Sequence, residues 1–153
     1  MERIPGIRRA VTDDVAAVAA LWIRARNAAV PMIPAYVHQN KDVFEWIASI
    51  VIPRQETWVA EYEHHPIGMI SLDQEWIDQL YVDPEWTGHG VGAFLIEWAK
   101  ERSPRSLQLW TFESNLGARR FYERHGFIAM ERTDGRRNEE GFPDMRYQWT
   151  SRA

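Results

Sequence analysis

Apolar positions change their period several times along the chain, and each change marks an element. Residues 4–11 form a short mixed run that suits an edge strand, and it stops at Thr12, Asp13 and Asp14, whose short polar side chains can cap a helix. Val15, Val18, Leu21, Trp22 and Ala25 then recur at helical spacing, which predicts one buried face. The segment 30–36 carries two prolines and interrupts that helix, because proline lacks a donor N–H and collides with the preceding turn. Asn40 is the expected cap of a second helix with the stripe Val43, Phe44, Ile47, Ile50 and Val51, terminated by Pro53.

β-branched and apolar runs at 57–62 and 67–72 flank Glu63-His64-His65-Pro66 and predict an antiparallel hairpin, followed by a strand over 76–82. The next helix buries Val91, Phe94, Leu95, Trp98 and Ala99 and ends at Ser103-Pro104. After a strand over 107–112, Asn115 caps a helix to about Arg124, with Gly126 as its left-handed stop before a strand over 127–132. Residues 133–141 are polar and turn-rich, and then Met145, Tyr147 and Trp149 alternate with Arg146, Gln148 and Thr150 in a last half-buried strand. No repeat, low-complexity tract or linker divides residues 1–153, so one mixed α/β domain around a central sheet is expected.

A chain of 153 residues with 45% hydrophobic content is long enough for a real core. Its net charge of −4 argues against general nucleic-acid binding and suits a cationic small partner. The absence of cysteine removes disulfides, thiolate nucleophiles and Cys-based metal sites. The first five residues lack the apolar core of a signal peptide, and no apolar run approaches the ~20 residues of a membrane span, so a cytoplasmic protein without membrane contact is expected. His38, His64, His65, His89 and His125 show no paired helical spacing, so no metal is expected. Oligomeric state is left open, a homodimer included.

The stretch around which the chain is organised runs from Gln79 through Leu80, Tyr81, Val82, Asp83 and Pro84 to Thr87, Gly88, His89, Gly90, Val91 and Gly92. A strand, a Pro-marked turn and alternate glycines opening a helix make a cradle for an anion, phosphate first: backbone approaches closely without Cβ atoms, and the first helical N–H groups are unpaired at the positive end of the dipole. The glycines also satisfy the looser dinucleotide pattern G-x-G-x-x-A through Ala93, but here a hairpin and two helices precede them, whereas that fingerprint sits in a first βαβ unit. Further on, Asn115 and Tyr122 are seven residues apart and share a helix face. A phenol there can bond a ligand and donate a proton, or simply fill the core.

Leu80-Tyr81-Val82 leading into Gly88-His89-Gly90-Val91-Gly92, followed by Asn115, Ala118, Tyr122 and Gly126-Phe127, resembles the GNAT superfamily of acetyl-CoA-dependent N-acetyltransferases. The resemblance implies a mostly antiparallel sheet splayed at its middle strands, with helices on both faces. It also implies that the backbone of residues 87–92 holds the CoA pyrophosphate, that Leu80, Tyr81 and Val82 pair with the pantetheine arm, that Asn115 contacts the cofactor, and that Tyr122 protonates the leaving thiolate. Thr87 departs from the pattern, which usually has Arg or Gln there; backbone contacts survive, while a long side chain bracing the loop is lost. Asp73, Glu75 and Asp78 are the carboxylates near the splayed strand, and Asp78 is the first choice of base, directly or through water. A solvent-facing acid is the competing reading, since a bulge would change strand parity. The oxyanion would be met by backbone N–H near Val82.

Residues 134–144 also resemble a pattern in some bacterial members of this superfamily, which would bring Asn138, Glu139 or Glu140 to the acceptor; a solvated charged turn is the alternative. The apolar loop with Tyr36 would form one wall of that pocket. The expected function is acetyl transfer from acetyl-CoA to a small-molecule amine by direct attack, no cysteine being present for an acetyl-enzyme. A protein or peptide N-acetyltransferase, a non-catalytic CoA sensor and a dinucleotide-binding protein are the alternatives.

Overall fold

The computed structural model describes residues 5–103 and 105–152. The expected strand start at Ile4 and helix stop at Pro104 lie outside them. The chain begins with β1 (Gly6–Arg9), a 3-10 turn (Thr12–Asp14) and α1 (Val15–Ala29). Asp14 precedes α1 without a side-chain cap bond to it; its carboxylate closes the 3-10 turn instead, accepting the Val11 N–H (2.8 Å) and a fork of two bonds from Arg8 (both 2.8 Å). α2 (Asn40–Trp46) continues through a π turn (Ile47–Val51) into the short α3 (Ile52–Arg54). Asn40 is the first helical residue rather than the cap, and Asp42 reaches back to the Gln39 N–H (3.3 Å). Pro53 lies inside the last turn instead of ending the helix before it. The wider π turn just ahead of Pro53 relieves the carbonyl that a proline ring would meet in a regular helix.

The strands that follow are β2 (Glu56–Tyr62), β3 (His65–Asp73) and β4 (Trp76–Val82). The β2–β3 turn is shorter than expected, because Glu63 and His64 both adopt positive φ (50° and 67°) and close a two-residue hairpin. A 3-10 turn (Pro84–Trp86), α4 (Val91–Arg102), β5 (Ser106–Phe112), α5 (Leu116–Arg124), β6 (Ile128–Thr133) and β7 (Asp144–Thr150) complete the order.

Among the described residues seven strands join one sheet in the order β1-β2-β3-β4-β5-β7-β6. Every neighbouring pair is antiparallel except β4 and β5, which are parallel and paired only at Trp76 and Gln108. Beyond that point the two middle strands diverge. A sheet with one parallel pair is not the doubly wound sheet of a dinucleotide-binding fold, so that alternative falls on topology.

Alternation along the strands splits the core into two layers. Val59 and Met69 pack with Val18, Leu21, Trp22, Val43, Ile47 and Val51 of α1 and α2 and the π turn. On the opposite face Ile70, Leu72, Ile77, Leu107, Leu109 and Tyr147 pack with Val91, Leu95, Ile96 and Ala99 of α4 and Tyr122 of α5. The two helical layers therefore stand on opposite sides of the β4/β5 gap, which opens between them.

Candidate active site

The gap is a cleft of about 980 Å³ lined by β4 from Ile77 to Val82, β5 from Leu109 to Phe112, and side chains from both helical layers. Backbone geometry makes its cofactor side. Asp83 N–H donates to Ile67 O (2.8 Å) and Tyr81 stands opposite Met69. Because an antiparallel ladder alternates, Leu80 and Val82 turn their N–H and C=O groups away from β3 and toward the gap. An extended ligand arm can pair there as a missing strand would.

Past β4 the chain turns over Pro84–Trp86 and enters the glycine loop. Thr87 N–H and His89 N–H are taken by Pro84 and Trp86 carbonyls, and the α4 ladder starts with Phe94 N–H on Gly90 O (3.0 Å). The N–H groups of Gly90, Val91, Gly92 and Ala93 consequently have no acceptor among the described residues. Gly90, the residue before the helix, has φ +81°, a conformation that side chains rarely adopt, and Gly88 has φ +83°. At Gly92 the constraint is different: an added Cβ would lie 3.3 Å from the Phe121 ring of α5. Four free donors at the start of a twelve-residue helix fit a pyrophosphate. Thr87 lines the cleft with a short side chain, while Val91 is 2% exposed and offers backbone alone.

α5 supplies the next two groups. Asn115 caps it, its Oδ1 accepting Ala118 N–H (3.2 Å), and also lines the cleft. Tyr122 is buried against Phe121, Phe127 and Tyr147, yet it lines the cleft. Burial, then the nearby Tyr81 phenol, push the Tyr122 hydroxyl well above the usual tyrosine range, so it is a protonated donor at any ordinary pH.

The opposite end is aromatic and charged. Trp22 of α1 meets Tyr36, Trp46 and Tyr81 edge-on, with ring centroids 5.1, 5.8 and 5.8 Å away. Its indole N–H donates to Gln79 Oε1 (3.0 Å), whose amide in turn donates to Asp78 Oδ2 (3.2 Å). Gln55 donates to the same oxygen (3.0 Å). Asp78 is exposed and faces the cleft because β4 bulges there: Gln79 stands opposite Ser71 and Ile77 opposite Leu72, which leaves Asp78 without a β3 partner.

Two loops close over this end. His38 Nε2 lies 3.0 Å from Glu139 Oε2, and the Ser114 hydroxyl bonds the Met32 carbonyl. Glu139 and Glu140 both line the cleft. Asn138 does not: its amide spans the Phe142 carbonyl (2.8 Å) and Asp144 (3.2 Å), and its Oδ1 takes the Gly141 N–H (2.7 Å), so it folds the loop that presents the two glutamates. Glu75 is likewise outside the cleft, bonded to Ser106 (3.2 Å) at the closed end of the β4/β5 pair.

Sequence periodicity passed over Trp22, Trp46, Gln79 and Arg26 as site residues. Arg26 had a signal, since it falls four residues after Trp22, on the buried stripe of α1, where a charge is out of place. Indoles on a helical stripe carry no such mark.

A splayed strand pair with open backbone groups, beside free helix-start donors and a buried phenol, is the layout of an acyltransferase that takes its acyl group from a CoA thioester. Residues 16–127 match the Acetyltransferase (GNAT) family, so the chain belongs to it and is an acetyl-CoA-dependent N-acetyltransferase. It is 30% identical over 129 residues to the peptidyl-lysine N-acetyltransferase YjaB of Escherichia coli K12, covering 84% of this chain and 85% of that protein. An uncharacterized N-acetyltransferase of Methanocaldococcus jannaschii is 30% identical over 146 residues, covering 84% of this chain, which spans 63% of that protein's length. The solution structure of apo YjaB from Escherichia coli superposes with a TM-score of 0.78 at 26% identity, covering 97% of this chain and 99% of that one. No helix among the described residues is long and apolar enough to cross a membrane.

Proposed function

We propose that the protein acetylates a primary amine of a small molecule by direct attack, with Tyr122 as general acid and Asp78 as base. The observation that carries this reading is the single cleft that holds Tyr122 and Asp78 together with the open edge of β4. Bound acetyl-CoA supplies the thioester that the amine attacks. The free N–H groups of residues 90–93 hold the pyrophosphate, Leu80 and Val82 pair with the pantetheine arm, and Asn115 contacts the same cofactor while capping α5. Val82 N–H, turned toward the gap, would meet negative charge developing on the carbonyl oxygen. Asp78, steadied by Gln55 and Gln79, takes the proton lost by the amine, directly or through one water, and Tyr122 gives its proton to the departing sulfur.

The cleft's carboxylates, Asp42, Asp78, Glu139, Glu140 and Asp144, outnumber its one arginine and draw a cationic acceptor. A second reading, acetylation of lysine in a peptide, is favoured by the likeness to YjaB, and the half-exposed His38–Glu139 contact at the rim would then be where a chain lies across the mouth. The test is release of free thiol from acetyl-CoA over a panel of amines and lysine peptides. Turnover of amines sustains the proposal, turnover of peptides alone supports the second reading, and acetyl-CoA binding without release with any acceptor refutes both.

A further inference from the structure

Arg26 is 7% exposed, lines the cleft, and is poorly satisfied for a buried cation. Of its five N–H donors, one reaches the Pro34 carbonyl at 3.3 Å and one the Tyr81 hydroxyl at 3.5 Å, both long. Its Nε is buried with no partner among the described residues. Among the described residues its ion-pair partner is Glu140 at 3.7 Å, without a hydrogen bond. Elsewhere in the chain the contrast is plain: Arg8 forks onto Asp14 with two bonds of 2.8 Å. The guanidinium lies over two rings instead, 5.2 Å from the Trp22 centroid and 5.9 Å from that of Phe112. A guanidinium fork prefers a bidentate oxyanion, and a buried one without it leaves much of its desolvation cost unrepaid.

We infer that Arg26 binds a carboxylate carried by the acceptor, so that the substrate class is amines of the amino-acid type, with the ammonium drawn by the surrounding acids and the carboxylate seated on Arg26. This rests on the amine-acceptor reading above. Free Arg26 is loosely countered by Glu140, and the acceptor's carboxylate takes that position, so Glu140 competes with the substrate. A lysine side chain within a peptide has no such anion and gains nothing from Arg26.

The test uses amine pairs that differ by a carboxylate: phenylalanine and phenethylamine, tryptophan and tryptamine, lysine and cadaverine, together with a lysine-containing peptide. Each is titrated into the CoA-saturated protein by calorimetry, and turnover is followed by thiol release. At least one carboxylated member should bind about tenfold tighter than its plain partner. In Arg26→Met, a change that keeps the stem and removes the fork, that ratio should fall to near one. Glu140→Gln should move the other way and tighten the carboxylated member several-fold, which keeps the inference testable if Arg26→Met does not fold. Equal binding within every pair, no binding by any member, or an Arg26→Met loss shared equally by both members overturns the inference. Thiol release from plain amines with no discrimination would do so while leaving the acetyltransferase reading standing. Binding without release would remove that reading and leave the pair ratio to judge Arg26.

Discussion

Tyr122→Phe separates a proton donor from a core aromatic. The ring packs on Phe121, Phe127 and Tyr147 with centroids 5.2, 5.6 and 6.3 Å away, and phenylalanine keeps all three contacts. No partner for the hydroxyl is found among the described residues, so its loss strands no donor or acceptor. Stability should therefore change by no more than about 1 kcal/mol. Acetyl-CoA affinity, which rests on backbone groups of residues 80–82 and 90–93, should stay within about twofold. Turnover is another matter: general acid catalysis contributes about 10²- to 10⁴-fold, or roughly 3 to 5 kcal/mol of barrier. The assay is single-turnover thiol release with saturating amine, which isolates the chemical step from product release, beside calorimetric titration with acetyl-CoA. Burial and Tyr81 hold the Tyr122 hydroxyl protonated above the usual tyrosine range, so the wild-type rate should show no alkaline loss attributable to it below about pH 10. A rate within twofold of wild type would refute the assignment. Equal losses of rate and affinity would make the residue a wall of the cofactor groove instead.

Gly90→Ala should cost about 1–2 kcal/mol through its left-handed backbone alone, since nothing lies within 4 Å of the added Cβ; urea unfolding reads this. Gly90→Glu adds bulk and a negative charge at the cradle and should abolish measurable CoA binding in calorimetry, and unchanged binding would sink the cradle. Asp78→Asn should lower kcat/KM by about 10- to 10³-fold while leaving the unfolding midpoint in place, because the side chain is exposed; an unaffected rate would return it to a surface acid. Asp14→Asn should destabilise by about 1–3 kcal/mol near neutral pH, where the Arg8 fork and the Val11 N–H favour its charged form. That lowered folded-state pKa makes the contribution present above the unfolded value and lost as pH falls, so the wild-type and variant unfolding curves should converge below about pH 4. A gap that stays constant down to pH 3 would show that packing, not charge, holds Asp14.

Elements that bury one periodic face were readable before any coordinates. The stripe of α1, the hairpin, the glycine loop and the Asn115-to-Gly126 helix all fall within a few residues of their predicted places, because each local signal agrees with the burial that finally selects it. Boundaries moved where a competing local bond won: Gln39, its N–H bonded by Asp42, took the cap position expected of Asn40, and a π turn let Pro53 stay inside a helix. Which strand pair would splay was not a property of any one strand. It came from resemblance, and it has its physical expression in a β4–β5 pairing limited to Trp76 and Gln108.

The candidate site divides along the same line. Backbone-built parts were legible, since glycines and a helix start announce free N–H groups wherever they occur. Side-chain parts depended on parity and on loops. Asp78 and Glu75 are three residues apart and chemically alike, yet one bulge turns Asp78 into the cleft while Glu75 stays at the closed end of the strand pair. Asn138 and Glu139 are adjacent, and the one that looks more like a ligand-binding amide spends its bonds folding the loop. Arg26, the residue inferred to seat the acceptor's carboxylate, was visible only as a charge on an apolar stripe. A charge on a buried helical face is tolerated when something answers it, and here Glu140 answers from 3.7 Å across the loop. The proposed carboxylate seat thus depends on a contact between α1 and the β6–β7 loop, two segments more than a hundred residues apart.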